Sequence, residues 1–258
     1  MPKPLPSRLD KEPIVEAVCE LRLSPTGALH TVLPGYLYAT FRAEVGPSEQ
    51  LPAGIIPEAM RAQDANFAYA SIVRIPWRKY FVLIGSRNVA IACRLPYPGW
   101  TQLRLDIHEL FRTVITSGLI RGVDRYSVKF TNFFPSSDGK QGNTEMLDWK
   151  IQFGEFVLGK ENVQLRVEIP NEKDTVTIVT MSSPAQYQPE GEPPRLGGVI
   201  DVDTVCAHVT NDLAAFGAEL EGRLDAIRLT NKRAFFDCLT PESIEGMDPQ
   251  YEPPPVHH

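Results

Sequence analysis

The sequence predicts an α+β protein with mainly antiparallel sheets, and three observations lead to this prediction. Many segments alternate apolar and polar residues, the period of a half-buried strand. The gaps between several of them are short and have the composition of hairpin turns. Few segments repeat apolar residues at intervals of three and four, so helices do not alternate with strands as they would in a doubly wound parallel sheet.

The first element is the strand within KEPIVEAVCELRLSP, residues 11–25. Its apolar positions point one way, whereas Glu16, Glu20 and Arg22 point the other. We interpret these three residues as the polar face of a strand, with a pair of working carboxylates and a cationic partner as the alternative. At ~3.3 Å per residue, the two glutamates lie about 13 Å apart on a strand, too far for the ~5–9.5 Å pair of a glycosidase.

A short helix is predicted next, over residues 34–44, because Leu33, Leu37 and Phe41 have helical spacing. Pro34 fits this helix only if it lies in the first turn. A loop over 46–64 follows, with at most a helical turn at 57–63.

An antiparallel meander and an amphipathic helix complete the first half. The meander has strands at 67–75, 80–84 and 89–95, joined by connections short enough for hairpins. The helix follows PYPGW and ends before Gly118. Its apolar positions are Leu103, Ile107, Leu110, Phe111 and Val114.

The second half repeats this sheet-and-helix order. A strand around 126–130 and a polar loop at 135–144 precede a second meander, with strands near 149–153, 163–169, 176–180 and 199–205 and turns at 159–162 and 171–174. A long helix then carries one apolar face after Thr210, broken only by the polar Asn231. Thr240, Pro241 and Glu242 have the order of a helix start, so a short last helix is expected.

These elements divide the chain into an N-terminal half at 1–119, a C-terminal half at 120–247 and a disordered proline-rich tail at 248–258. The halves are alike in their order of elements, but no repeat is visible residue by residue. His257 and His258 end the tail and are left out of the fold prediction as candidate vector residues.

Composition narrows the function classes. The net charge of −6 and pI near 5.5 argue against a protein that binds nucleic acid through its overall charge. No apolar run approaches the ~20 residues that span a bilayer, and no signal peptide is recognisable, so we expect a cytoplasmic protein without membrane contact. Its four cysteines form no CxxC pair, so we expect no zinc site and no cofactor.

The basic stretch, residues 65–105, contains no acidic residue. It contains the candidate binding residues Arg74, Trp77, Arg78, Lys79 and Tyr80 around one hairpin, and further arginines at 87, 94 and 104. Arginine among aromatic residues suits nucleic acid. It also suits an acidic protein partner, the acidic C-terminal end of this chain, or plain solvent. Protein contact is the preferred interpretation, followed by a solvated surface and then nucleic acid.

Two further candidates lie in strands of the second half. Asp201 and Asp203 share one strand face about 6–7 Å apart, so they are weak metal candidates, with an exposed structural role as the preferred interpretation. Asn132 lies among aromatic residues, where an amide bonded to the backbone is the default and an amide that reads a ligand is the alternative.

Three segments read together, KEPIVEAVCELRL, YPGW followed by VDRYSVKFTNFF, and NKRAFFDCLTPESIEGM, resemble a sporadically distributed bacterial family known by its sequence pattern. The family usually begins Lys-Pro-Pro-Ile-Val-Glu-Ala-Val, which residues 11–18 match except for Glu12. Its middle Arg-Tyr-Ile-Asn is matched here only by Asn132. The resemblance implies an accessory gene, as in defence, toxin–antitoxin or mobile clusters, and carries over no catalytic residue.

The sequence therefore favours a cytoplasmic bacterial protein that acts by binding a protein partner or by self-association, without catalysis. An enzyme or nucleotide-binding protein with a pocket between the halves, using Asp201, Asp203 or Asn132, is the alternative. Nucleic-acid binding through the basic hairpin is the third possibility.

Overall fold

The computed structural model describes residues 4–64, 67–136, 144–158, 161–189 and 191–251. The protein is α+β. Its strands are β1 (Arg8–Leu9), β2 (Ile14–Pro25), β3 (Glu49–Gln50), β4 (Ser71–Trp77), β5 (Tyr80–Gly85), β6 (Asn88–Cys93), β7 (Ile120–Pro135), β8 (Gln152–Phe153), β9 (Phe156–Val157), β10 (Val163–Pro170), β11 (Thr175–Tyr187), β12 (Arg195–Cys206) and β13 (Pro249–Gln250). Its α-helices are α1 (Leu29–Phe41), α2 (Glu58–Gln63), α3 (Trp100–Thr116), α4 (Leu213–Asp237) and α5 (Pro241–Glu245).

One antiparallel sheet of nine strands runs through both halves in the order β10-β11-β12-β7-β2-β6-β5-β4-β3. Two small sheets, β1-β13 and β8-β9, lie outside it. The long pair β2–β7 joins the first half of the chain to the second, with Cys19 opposite Val128.

The two halves are arranged about this central pair with an approximate twofold relation. β6, β5 and β4 follow β2 on one side, and β12, β11 and β10 follow β7 on the other. β6 ends at Cys93 before α3 begins at Trp100, and β12 ends at Cys206 before α4 begins at Leu213, so both connections have the same length. Buried residues then recur at equal intervals: Leu103, Ile107, Phe111 and Val114 in α3, and Phe216, Leu220, Leu224 and Ile227 in α4.

The hydrophobic core lies on the helix side of the sheet. Ala17, Cys19, Leu21 and Leu23 of β2 are fully buried there, as their alternation predicts. They belong to one cluster with buried residues of α1, α3 and α4. Helix α1 packs on β4 and β5, whereas the described residues between β7 and β12 contain no helix.

Several predicted bounds change in the structure. Helix α1 begins at Leu29, so Pro34 lies inside it and not in its first turn as predicted. β4 begins at Ser71 because Phe67 and Ala68 bond back to Asp64 in a turn. β7, β11 and β12 are longer than predicted, and only Gln152–Phe153 of the strand expected at 149–153 forms.

The chain ends also differ from the expected disordered tail. Pro249–Gln250 pair with Arg8–Leu9, so this part of the tail is ordered. Residues 252–258, most of the loop predicted at 135–144, and the first two residues of the turn at 159–162 lie outside the described residues.

Candidate functional site

A group of charged side chains occupies the face of the sheet opposite the helices. It lies on β2, β7 and β12, at positions that alternate with core residues such as Cys19, Val128 and Val202. We define this central charged cluster as Glu16, Glu20, Arg22, Arg125, Lys129, Asp201 and Asp203. Since these strands are paired side by side, residues distant in sequence meet on one surface.

Lys129 connects two carboxylates from different strands. Its Nζ lies 2.6 Å from Glu16 Oε2 and 3.7 Å from Asp201 Oδ2. The Thr131 hydroxyl lies within hydrogen-bonding distance of the same two carboxylates. Burial lowers the pKa of Lys129, but the hydrogen bond and charge of Glu16 and the charge of Asp201 outweigh it, so the pKa is raised overall.

Glu20 is the centre of the second part of the cluster. It accepts hydrogen bonds from Arg22 Nε at 2.9 Å and Asn88 Nδ2 at 3.1 Å, and Arg125 approaches to 3.8 Å. The guanidinium of Arg22 also stacks over Tyr69, 3.9 Å from the ring centre. These contacts hold Arg22 in one orientation.

Three polar atoms of this surface are buried without a hydrogen-bond partner within the part of the chain that the structure describes. They are Asp203 Oδ1, Arg125 Nε and Asn88 Oδ1. Burial raises the pKa of Asp203 from its ordinary value of 3.8 to about 6; Arg125 opposes this shift, and Asp201 and Glu20 add to it. Burial and the neighbouring Arg22 lower the pKa of Arg125. These three atoms are enclosed by the chain and are not open to solvent.

Asp203 should make stability fall as pH rises. The carboxyl of Asp203 loses its proton near pH 3.8 in the unfolded chain and near pH 6 in the folded chain. Because the folded chain holds the proton more tightly, Asp203 contributes its full stabilisation below pH 3.8, and this contribution is lost as the pH rises to above 6. At about 1.4 kcal/mol per pH unit, the loss is about 2–3 kcal/mol. Asp203→Asn should remove it, which urea unfolding of both proteins between pH 4 and 7 will measure.

Asp201→Asn is the matched control, because the Asp201 carboxylate accepts from Thr131 at 2.7 Å and faces Lys129. This variant should gain no stability at neutral pH. A wild-type chain and an Asp203→Asn variant with parallel pH profiles would contradict the assignment.

The two aromatic rings and Arg78 at the hairpin of the basic stretch are engaged within the fold. Trp77 and Tyr80 are each 1% exposed and pack in the core, so their rings cannot stack on bases. Arg78, although at the hairpin tip, is paired with Glu44, Asp106 and Glu109. This overturns the possibility that the two rings and Arg78 are free contact groups, while Lys79 is exposed.

Three of the other arginines of the basic stretch also pair with carboxylates of this chain, whereas the Arg94 guanidinium lies over the Phe81 ring, 5.3 Å from its centre. Arg74 pairs with Glu49, Arg87 with Asp124, and Arg104 with Glu221 and Asp225. These acids are not those of the acidic C-terminal end, of which Asp248 pairs instead with Lys11. The sequence shows that this stretch carries an excess of positive charge. It does not show that carboxylates from other parts of the chain pair with several of its arginines.

Asn132 and the two aspartates lie on opposite faces of the sheet. Asn132 is buried on the helix side, where its Nδ2 donates to Ile200 O at 3.3 Å. It also lines a cavity of about 40 Å³ beside Arg228 and Asn231, far smaller than ligand pockets of about 300–1,000 Å³. Asn132 therefore has the backbone-bonded role, and the sheet separates it from Asp201 and Asp203.

The metal candidates have protein partners. Asp201 contacts Lys129 and Thr131, and Asp203 faces the charge of Arg125. The described residues include no group of three or more histidine, cysteine, aspartate or glutamate side chains that could hold a metal ion.

Sequence reasoning had identified Asp201, Asp203 and the β2 charges but missed Arg125 as part of one surface. The signal was the alternation along β7, where Ser127, Lys129 and Thr131 oppose the apolar positions. That alternation does not say which strands flank β7.

Comparison with known proteins adds no assignment. No protein-family model matches the chain, and no curated protein matches its sequence. Within the described ranges, no helix has the length and apolar character needed to cross a membrane.

Proposed function

We propose that this chain is a cytoplasmic bacterial accessory protein that acts by binding another protein through the central charged cluster. The observation that carries the proposal is the ordered set of opposite charges on the sheet face opposite the helices, where Lys129 and Glu20 each contact charged side chains of neighbouring strands. A partner surface with complementary charges can dock on side chains that are already held in place, and it gains specificity from the pattern of charge.

The balance of charge supports a protein over nucleic acid. The central charged cluster has four acidic and three basic side chains. Charges of opposite sign are neighbours in it: Lys129 lies between Glu16 and Asp201, and Glu20 lies between Arg22 and Arg125. Nucleic acid needs uncompensated positive charge to replace its counterions. A protein surface carrying both signs of charge can instead match the alternation and gain specificity from it.

Pre-ordering of the side chains supports the same proposal. Glu20 and Arg22 are only 19% and 26% exposed, although neither belongs to the hydrophobic core. Their mutual hydrogen bond and the ring of Tyr69 fix them before binding, so less side-chain entropy is lost on association. This is the arrangement expected of a binding surface that does not reorganise.

The experiment is capture of partners from native cells with tagged wild-type chain, Arg125→Met and Arg112→Met, with mass spectrometry and assays for co-purified nucleic acid and small molecules. Arg125→Met keeps an unbranched apolar stem and removes a partly buried charge of the cluster. Arg112 is exposed on α3, away from the cluster, and is the matched control.

We expect a stoichiometric protein partner whose affinity falls at least about thirtyfold with Arg125→Met, since loss of one side of a buried interfacial charge pair costs about 2–5 kcal/mol. Arg112→Met should change it less than about twofold. Equal capture by both variants would exclude the cluster as the binding surface. A bound small molecule or nucleic acid without a protein partner would overturn the proposal.

A further inference from the structure

The nine-stranded sheet ends in two edges that differ in length and composition. β3, at one end, has only two residues, Glu49 and Gln50, both exposed. β10, at the other, has eight residues and pairs with β11 along its inner side. Short polar edges resist pairing with other chains, whereas a long edge strand offers a row of backbone groups to a new strand.

The side chains of β10 divide into an apolar and a charged set. Leu165, Val167 and Ile169 point to the helix side, opposite Met181, Val179 and Thr177 of β11. Val167 and Ile169 are each 41% exposed. Arg166 and Glu168 point to the other face and pair with each other within the strand.

The apolar set is exposed because the helices among the described residues leave β10 largely uncovered, although α4 packs on β11. In the first half, α1 packs on β4 and β5. In the second half, α4 packs on β11, where Val179 and Met181 join its core, but an open groove of about 1,210 Å³ lies between α4 and the β10–β11 hairpin, with Ile169 and Met181 among its lining residues. Among the described residues, the edge therefore combines an unpaired outer side of the strand with an exposed apolar stripe, as strand-addition interfaces do.

We propose that β10 pairs antiparallel with β10 of a second copy of this chain, which joins the two sheets into one. Centring the pair on Val167 sets Arg166 opposite Glu168 of the second copy, and Glu168 opposite its Arg166. The same register sets Leu165 opposite Ile169, so the apolar stripes of the two copies become continuous.

Charge selects this register over its neighbours. In a twofold antiparallel pair, directly opposed residues share a face, so the centre falls on a residue. A pair centred on Arg166 would oppose two arginines, and one centred on Glu168 would oppose two glutamates. Only the centre at Val167 opposes arginine with glutamate, and it does so twice. The interaction is independent of the proposed function, because the central charged cluster lies on β2, β7 and β12 and not on β10.

The test is sedimentation equilibrium of the full chain over a wide concentration range, with Arg166→Glu, Glu168→Arg and the double exchange Arg166→Glu with Glu168→Arg. Each single variant sets like charges opposite each other at both pairs and should weaken dimerisation at least about tenfold. The double exchange restores both opposite-charge pairs and should restore the dimer. An equal mixture of the two single variants should form a heterodimer, since their charges then complement each other.

Folding does not confound these variants. The side chains of Arg166 and Glu168 are 54% and 57% exposed, so their replacement changes stability little, which thermal unfolding will confirm. A monomeric wild-type chain, or a dimer that both single variants retain at full strength, would overturn the β10 interface. Neither result would bear on partner capture by Arg125.

Discussion

Asp106→Ala should lower the free energy of unfolding by about 3–5 kcal/mol, the range for breaking one side of a buried ion pair. Asp106 is 4% exposed in α3 and accepts three hydrogen bonds. They come from Arg78 Nη1 at 2.7 Å, the Tyr80 hydroxyl at 2.6 Å and Gln102 Nε2 at 2.8 Å. Alanine leaves the Tyr80 hydroxyl buried and unbonded, and leaves the inner side of Arg78 without its carboxylate.

This prediction tests whether Arg78 has a structural role at the tip of the β4–β5 hairpin. If Arg78 mainly holds the β4–β5 hairpin to α3, its buried partner should matter far more than its exposed ones. Glu109→Ala is the matched control, because Glu109 binds the same guanidinium at 2.7 Å from a side chain that is 46% exposed. An exposed pair contributes less than about 1 kcal/mol.

Urea unfolding of the wild type and both variants at neutral pH measures the difference. The midpoint should move substantially for Asp106→Ala and only slightly for Glu109→Ala, with an unchanged dependence on urea concentration. Similar losses for the two variants would show that the buried bonds of Asp106 carry no special weight.

Asp106 also shows what the sequence could and could not predict. The helical pattern from Leu103 to Val114 is confirmed, and Asp106 falls within its apolar face, three residues after Leu103 and four before Leu110. This position signals a buried acid. The acid-free stretch before Asp106 resembled a binding surface because its arginines had no acidic partner nearby in sequence. The ion pair between Arg78 and Asp106 forms only when the β4–β5 hairpin packs against α3, and no local sequence pattern predicts that packing.

The strand faces were predictable for the same reason. Alternation along β2 placed Glu16, Glu20 and Arg22 together on one face, and the structure confirms that they lie opposite the core. The central charged cluster was not predictable, because it depends on the order in which β2, β7 and β12 pair. Lys129 meets Glu16 through a strand pair whose register brings residue 16 beside residue 131.

The single sheet is a further consequence of strand order. Local periodicity identifies most strands of each half, but the number of sheets depends on whether β2 and β7 pair. Twelve and sixteen residues long, these two strands have enough backbone to pair along most of their length. That pairing, and not any local motif, makes one continuous surface on the face opposite the helices.

Asn231 is the polar break in the apolar face of α4, and its replacement should have the second large effect on stability. It is fully buried, and its Nδ2 donates to Val202 O at 2.7 Å and Val128 O at 3.1 Å. One side chain thus bonds α4 to β12 and to β7. Asn231→Leu, which keeps the branched shape of the side chain but is larger, should cost about 2–3 kcal/mol, mainly through lost hydrogen bonds, and Asn231→Ala about 3–4 kcal/mol because a cavity is added.

The two replacements distinguish bonding from packing. If the amide serves only to fill space, Asn231→Leu should be nearly neutral, and only Asn231→Ala should destabilise. Leu229→Ala is the control in the same helix, since Leu229 is 43% exposed and its loss should change stability by less than about 0.5 kcal/mol. Chemical unfolding of the three variants measures these free-energy changes and distinguishes the two roles of the amide. A large cost for Asn231→Leu would establish that α4 is fixed to the sheet by these two backbone carbonyls, which lie 29 and 103 residues away in sequence.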